Sequence, residues 1–213
     1  MTKLLALMLF MFIAISVKAV DVKGQIITGK DTMNVMLKIP VNMISQEPAY
    51  KKLQNSVRYI TENGQKKKLK PDMADEIKFK FGFDTIRMVS VPDPVGGSHN
   101  GYFDYYIFLR ILVDGKIKLY LHPSSKVSFG PVASISSNFG VGVNTVQYAK
   151  IEGGVIYLKK DDEDLKLVAN FGRNKMKNYF SDCPELVQKI ESKEFKSKDI
   201  IQIVQYYNSH CTD

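Results

Sequence analysis

The chain has 213 residues, 24% of them charged, with a formal net charge of +8 and only two cysteines. That length supplies one good hydrophobic core and is short for two. Beyond the first 19 residues no apolar run reaches the about 20 residues a spanning helix needs, so no spanning helix is expected in that part of the chain.

Residues 1–19 read as a signal peptide. Lys3 gives a positive start, Leu4 to Val17 is apolar and uncharged, and Val17-Lys18-Ala19 supplies a small-x-small cleavage site. An uncleaved anchor or a buried core helix is the alternative. Cleavage after Ala19 leaves a basic chain, expected to be soluble or peripheral. A basic balance favours anionic surfaces such as lipid headgroups or acidic glycans, although solubility alone accounts for a charge of this size. Export makes nucleic acid an improbable partner.

Residues 20–169 read as an antiparallel β domain. Asp21 to Thr28 is a strand, Gly29-Lys30-Asp31 a turn, and Met33 to Ile39 its hairpin partner. Met33, Val35, Leu37 and Ile39 share one face of that partner, and Pro40 ends it. Residues 41–55 are ambiguous: Glu47-Pro48 can start a short helix through Tyr50 and Leu53, or the stretch is a loop. Ser56 to Thr61 and Lys66 to Lys70 form a second hairpin around Asn63-Gly64. Its lysine run is read as an edge strand whose charges discourage edge-to-edge pairing, with binding to an acidic polymer or headgroup as the alternative.

Pro71 to Glu76 is a helical turn at most. Ile77 to Phe83 then alternates, placing Ile77, Phe79, Phe81 and Phe83 inward as a core anchor and Lys78 and Lys80 outward. Thr85 to Val91 is the next strand, and 92–101 is a loop. Ser98-His99 lies in that loop without the strand-turn-helix setting of a hydrolase nucleophile.

Tyr105 to Val113, Asp114-Gly115 and Lys116 to His122 form the clearest hairpin. A two-residue turn pairs Val113 with Lys116, so Leu112 opposes Ile117 and Arg110 opposes Leu119. Arg110 then falls on the more apolar side, where an unpaired guanidinium is costly. A satisfied ion pair or a rim position is the structural reading; an anion-coordinating arginine in a ligand cavity is the functional one.

Residues 123–147 are rich in Ser, Gly and Val, and Gly140 and Gly142 lack the third glycine and the setting of a dinucleotide fingerprint. Val146 to Ile151 is a further strand candidate. Val155 to Lys160 and Leu165 to Ala169 flank an acidic turn too short for a calcium loop. No metal or cofactor motif is present, and no cofactor is expected.

From residue 170 to 213 the period becomes helical. Met176 and Phe180 stand at i, i+4, Asp182 to Glu185 has capping-box spacing, and Leu186, Val187 and Ile190 form an apolar side. Ser197 can cap a last helix with Ile200, Ile203, Val204 and Tyr207 on one face. Cys183 and Cys211 bracket these helices, and two cysteines in an exported chain most often pair. The fold class is therefore mainly β, an antiparallel sandwich or partly open barrel of hairpins, with short C-terminal helices clasped by Cys183–Cys211 and packed on it.

The order GQIITGKDT, RYITENGQKKKLKPDMADEIKF, a long apolar hairpin and a Cys-Pro-Glu-Leu to Tyr-Tyr-Asn ending resembles uncharacterised exported proteins of the Bacteroidota. The resemblance implies a Gram-negative periplasm or cell envelope and carries over no catalytic residue. Three functions follow as expectations. The first is a non-enzymatic envelope protein binding a partner protein, an anionic glycan or a lipid. The others are a secreted hydrolase with a spatially assembled site, and a structural subunit of an envelope assembly.

Overall fold

The structure, a computed structural model, describes residues 18–94, 105–123, 154–161, 163–168 and 171–211. The expected leader (residues 1–17), Ser98-His99, Gly140, Gly142 and the strand candidate at 146–151 lie outside the described residues.

Alternating apolar and charged side chains make strands that bury one face each, and the described strands join in one open antiparallel sheet. They are β1 (Ala19–Thr28), β2 (Asp31–Pro40), β3 (Val57–Ile60), β4 (Lys66–Leu69) and β5 (Glu76–Phe81). β6 (Asp84–Pro92), β7 (Tyr106–Val113), β8 (Ile117–Pro123), β9 (Gly154–Lys160) and β10 (Lys166–Leu167) follow. Their spatial order is β10-β9-β8-β7-β6-β5-β1-β2-β3-β4. Two meanders, β1 to β4 and β5 to β10, are thus sewn together where β1 pairs with β5. The mainly-β, hairpin-built fold expected from the sequence is the one found.

The lysine-rich β4 is indeed an edge strand. Cleavage after Ala19 falls at the first pair of the β1–β2 ladder, Ala19 with Pro40.

One face of the sheet is mostly apolar and is here called the inner face. Val35, Leu37, Ile77, Phe79, Met88 and Phe108 form a single cluster on it with Tyr59 and Leu69. Leu69 on β4 and Phe108 on β7 stand six strands apart in the sheet order, about 29 Å if the sheet were flat. Pro71, two residues past Leu69, nevertheless meets Ser90 on β6, five strands from β4 in the sheet order, so the sheet curls around its inner face. The 3-10 turn Pro71–Met73 crosses that face, and its Pro71 carbonyl accepts a hydrogen bond from Ser90 Oγ at 2.7 Å. Helix α1 (Tyr50–Leu53) closes the inner face, with Tyr50 and Leu53 buried.

Helices α2 (Arg173–Tyr179), α3 (Pro184–Glu191) and α4 (Ile200–His210) cover the other half of the inner face. Met176, Phe180, Leu186, Ile190, Ile203, Val204 and Tyr207 pack there on Val113, Ile117, Leu119 and Leu158. A third cluster, Val91, Ile107, Leu109, Tyr120 and Tyr157, lies on the outer face of β6 to β9.

Several local expectations are corrected. Phe83 is not inward: it sits in the β5–β6 turn and is fully exposed, because Gly82 at φ 60° starts the turn and ends the alternation. Met33, close to its hairpin turn, is also exposed.

The β7–β8 register differs too. Arg110 opposes Leu121, Ile111 opposes Tyr120, and a bulge at Leu112 brings Val113 opposite Leu119. Val113 therefore moves to the inner face, beneath the helices. The reason lies in α4. Asn208 Oδ1 accepts the Ile117 N–H at 2.9 Å, and Asn208 Nδ2 donates to the Ile117 carbonyl at 2.8 Å. The carboxamide pairs both backbone groups of Ile117, for which the β7–β8 ladder supplies no partner.

The helix caps differ as well. Cys183, not Asp182, is the N-cap of α3, and Ser197 opens a 3-10 turn (Ser197–Asp199) ahead of α4. Asp182 is drawn away by Lys160 and Tyr207, and the Ser197 hydroxyl donates to the Phe171 carbonyl at 3.2 Å.

Candidate functional site

The outer face of β1 to β6 carries the opposite half of each alternation. Reading across the ladder, Asp21 stands opposite Lys38, Lys38 opposite Arg58, and Arg58 opposite Lys68. The next row is Lys23, Met36, Ile60 and Lys66. A further row runs from Asn34 through Gln25 and Lys78 to Arg87, and Lys80 faces Thr85 beside it. Beyond the third apolar cluster the pattern returns, with Lys118 opposite Lys159.

Neighbouring strands lie about 4.8 Å apart and same-face residues about 7 Å apart along a strand, so these cations form a dense grid. Like charges directly opposite each other destabilise a sheet by roughly 0.2–1 kcal/mol per pair. Lys38–Arg58, Arg58–Lys68, Lys78–Arg87 and Lys118–Lys159 are all such pairs.

Only part of this charge is neutralised. Lys38 Nζ lies 2.8 Å from Asp21 Oδ1. Arg87 holds the nearly buried Glu76 with two hydrogen bonds, 2.6 and 2.7 Å, and reaches Asp114 in the β7–β8 turn. The Glu76 hydrogen bond pushes the Arg87 guanidinium further above its ordinary range, against the effect of its own burial. Tyr120 close by is pushed up to about 12, by burial first and by Asp114 second. Lys23, Arg58, Lys66, Lys68, Lys78 and Lys80 have no carboxylate within ion-pair distance among the described residues. The surface is cationic and self-repelling.

Arg110 is on the other side of the sheet. It is half-buried on the inner face between α1 and the helical cluster, with its guanidinium 4.7 Å from the centre of the Tyr50 ring. Aromatic stacking of this kind supplies about 0.5–2 kcal/mol and offsets part of the cost of placing a cation there.

Cys183 and Cys211 stand at disulfide distance, with Cα atoms 5.5 Å apart, joining the start of α3 to the end of α4. Next to them Asp182 accepts from Lys160 Nζ at 2.7 Å and from the Tyr207 hydroxyl at 2.5 Å. Burial opposes the charged forms of both partners, yet their hydrogen bonds prevail, lowering Asp182 and raising Lys160. Through one oxygen of Asp182 this cluster ties β9 to α4 and to the start of α3.

Two open clefts lie on the described surface. One, about 750 Å³, lies between the β1–β2 and β3–β4 turns and is lined by Thr28, Asp31, Asn34, Thr61, Asn63 and Lys67 among others. The second, about 460 Å³, lies between β10 and α2 and includes Lys166, Phe171, Lys175 and Tyr179. Among the described residues no group of three or more His, Cys, Asp or Glu side chains is placed to hold a metal. Nor is any helix among the described residues long and apolar enough to cross a membrane.

The sequence marks Lys66 to Lys70 but not the cationic grid. Each outward lysine taken alone is an ordinary solvated position, and only the cross-strand register aligns them. Comparison with protein-family models, with curated proteins and with solved structures finds no match to this chain.

Proposed function

We propose that this is an exported, non-enzymatic protein of the cell envelope that binds an anionic envelope component through the cationic outer face. The observation that carries this reading is the row Lys38–Arg58–Lys68, like charges opposed on three consecutive strands. A sheet selected for stability alone would alternate the sign. A phosphate, sulfate or carboxylate array laid on the row relieves the repulsion and gains from it. That chemistry is shared by acidic glycans and anionic lipid headgroups. The leader-like residues 1–19, the cysteine pair at disulfide distance and the resemblance to Bacteroidota exported proteins support the envelope setting.

The test is binding of the purified protein to dextran sulfate and to phosphatidylglycerol vesicles over a range of salt. Arg58→Glu with Lys68→Glu, both at exposed positions, is expected to weaken binding by about tenfold or more, and added salt to weaken the parent protein's binding. Arg110→Met, on the inner face, is expected to leave binding unchanged. Loss of binding in Arg110→Met with none in the double variant would move the site to the inner face and refute the reading.

A further inference from the structure

At one end of the sheet, two turns hold apolar side chains out into solvent. The first turn follows β2. The Asn42 N–H donates to the Glu47 carbonyl at 2.8 Å and the Gln46 N–H to the Asn42 carbonyl at 2.9 Å. Gln46 takes a left-handed φ of 58°, and its side chain donates to the Met43 carbonyl at 2.7 Å. This closed loop presents Met43 and Ile44 at its tip, with Ile44 wholly exposed.

The second is the β5–β6 turn. Gly82 meets its backbone demand, so the next position is open to almost any residue, yet it carries Phe83, also wholly exposed. Continuing the β1–β5 register, in which Gly24 faces Phe79, sets Phe83 level with Val20, which itself pairs with Ile39. Phe83, Val20 and the Met43-Ile44 loop therefore share one rim of the curled sheet. The row Asp21–Lys38–Arg58–Lys68 begins one pair inward from that rim on the outer face, and Lys80 lies close to the turn that carries Phe83. The carboxylates at this rim include Asp21, held by Lys38, Asp84 beside Phe83, and Glu47 at the base of the Met43-Ile44 loop. The other exposed large apolar side chains include Met33, Met73, Tyr105 and Tyr106 and belong to a different surface.

A soluble polyanion satisfies lysines but gives exposed Phe and Ile nothing to enter. A bilayer rich in anionic lipid satisfies both, since headgroups meet the cations while the rim side chains enter the interface. We propose that this rim docks on an anionic lipid bilayer, with Phe83 and the Met43-Ile44 loop inserted and Lys38, Arg58, Lys68 and Lys80 on the headgroups. The proposal rests on the cationic-face reading and narrows its ligand to lipid.

The chain contains no tryptophan, so Phe83→Trp places a single reporter at the rim. Its emission is expected to shift to the blue, and to be quenched by brominated lipid, on vesicles of phosphatidylcholine with phosphatidylglycerol. No shift is expected with phosphatidylcholine alone or with dextran sulfate. Ile44→Ser with Phe83→Ser is expected to weaken vesicle binding by about tenfold or more while leaving dextran sulfate binding and the melting temperature unchanged. Vesicle binding equal to the parent protein's in that double variant overturns the proposal. So does a parent protein that binds dextran sulfate but not vesicles, and the cationic-face reading then survives. A protein that binds neither overturns both. Concentration-dependent self-association abolished by the double variant, without vesicle binding, makes the rim a protein interface and also overturns it.

Discussion

Asp182 shows how one carboxylate can be diverted from the role its sequence position offers. Its spacing to Glu185 matches a capping box, but its oxygen goes to Lys160 and to the hydroxyl of the fully buried Tyr207. A buried hydroxyl left without a partner costs about 1–3 kcal/mol, which outweighs a helix cap of about 1 kcal/mol. Because the folded protein holds Asp182 below its ordinary range, its contribution is present above the unfolded value near 4. It is lost as the pH falls through the lower, folded value. Asp182→Ala is therefore expected to destabilise the protein by about 2 kcal/mol at pH 7. The gap to the parent protein should narrow below about pH 4, as read from urea midpoints across that range. A gap that stays constant to pH 2.5 would mean that the ion pair contributes nothing.

At the scale of elements, the β7–β8 hairpin is tied to α4 through Ile117 and Asn208. Asp114-Gly115 is turn chemistry that any reading of the sequence finds, and it does end the hairpin. The pairing beyond it is nevertheless set by Asn208, 91 residues away from Ile117 in sequence. A Cβ on Gly115 would stand 2.4 Å from Asn208 Nδ2, so the turn and the carboxamide are fitted to each other. Asn208→Ala removes two hydrogen bonds to Ile117 and is expected to cost about 2–3 kcal/mol. In hydrogen exchange the Ile117 amide should lose protection while the β1–β2 ladder keeps it. Unchanged protection at Ile117 would return control of the register to the turn.

Sequence spacing made the hairpins legible for a physical reason: period-two alternation, Gly and Asn turns and short loops are all local. The edge position of β4 was legible from its lysines, and the apolar faces of α2 to α4 from Met176, Phe180 and Ile203. The bulge at Leu112, the exposure of Phe83 and the diversion of Asp182 were not. Each depends on a partner distant in sequence, or on a turn that ends an alternation earlier than the pattern itself does. The candidate site was the least legible part, because Lys38, Arg58 and Lys68 become neighbours only through two hairpin registers.

At the scale of the whole molecule, the curled sheet carries one core under α1 and another under α2 to α4. The Cys183–Cys211 link closes the second. With the two cysteines 28 positions apart in sequence, it removes unfolded-state entropy worth about 3–4 kcal/mol in the chain-entropy model. Reduction is expected to expose the amides of α2 to α4 to exchange while those of β1 to β6 remain protected. Non-reducing peptide mapping should find the two cysteines in one linked species. Free thiols on both would remove the clasp, and simultaneous loss of protection everywhere would mean that the two cores are a single cooperative unit.

What the sequence by itself determined was the kind of molecule: an antiparallel, hairpin-built sheet with a helical end bracketed by two cysteines. These features follow from short-range periodicity and turn chemistry, which act within a few residues. What only the tertiary structure decided was where charge and apolar surface accumulate. Pairing β1 with β5 and curling the sheet buried one side of every strand and gathered scattered lysines on the other. The same pairing set Phe83 level with Val20 on the rim that also holds the Met43-Ile44 loop. Charge density and exposed apolar area are sums over neighbours in space, and the chain order does not reveal them.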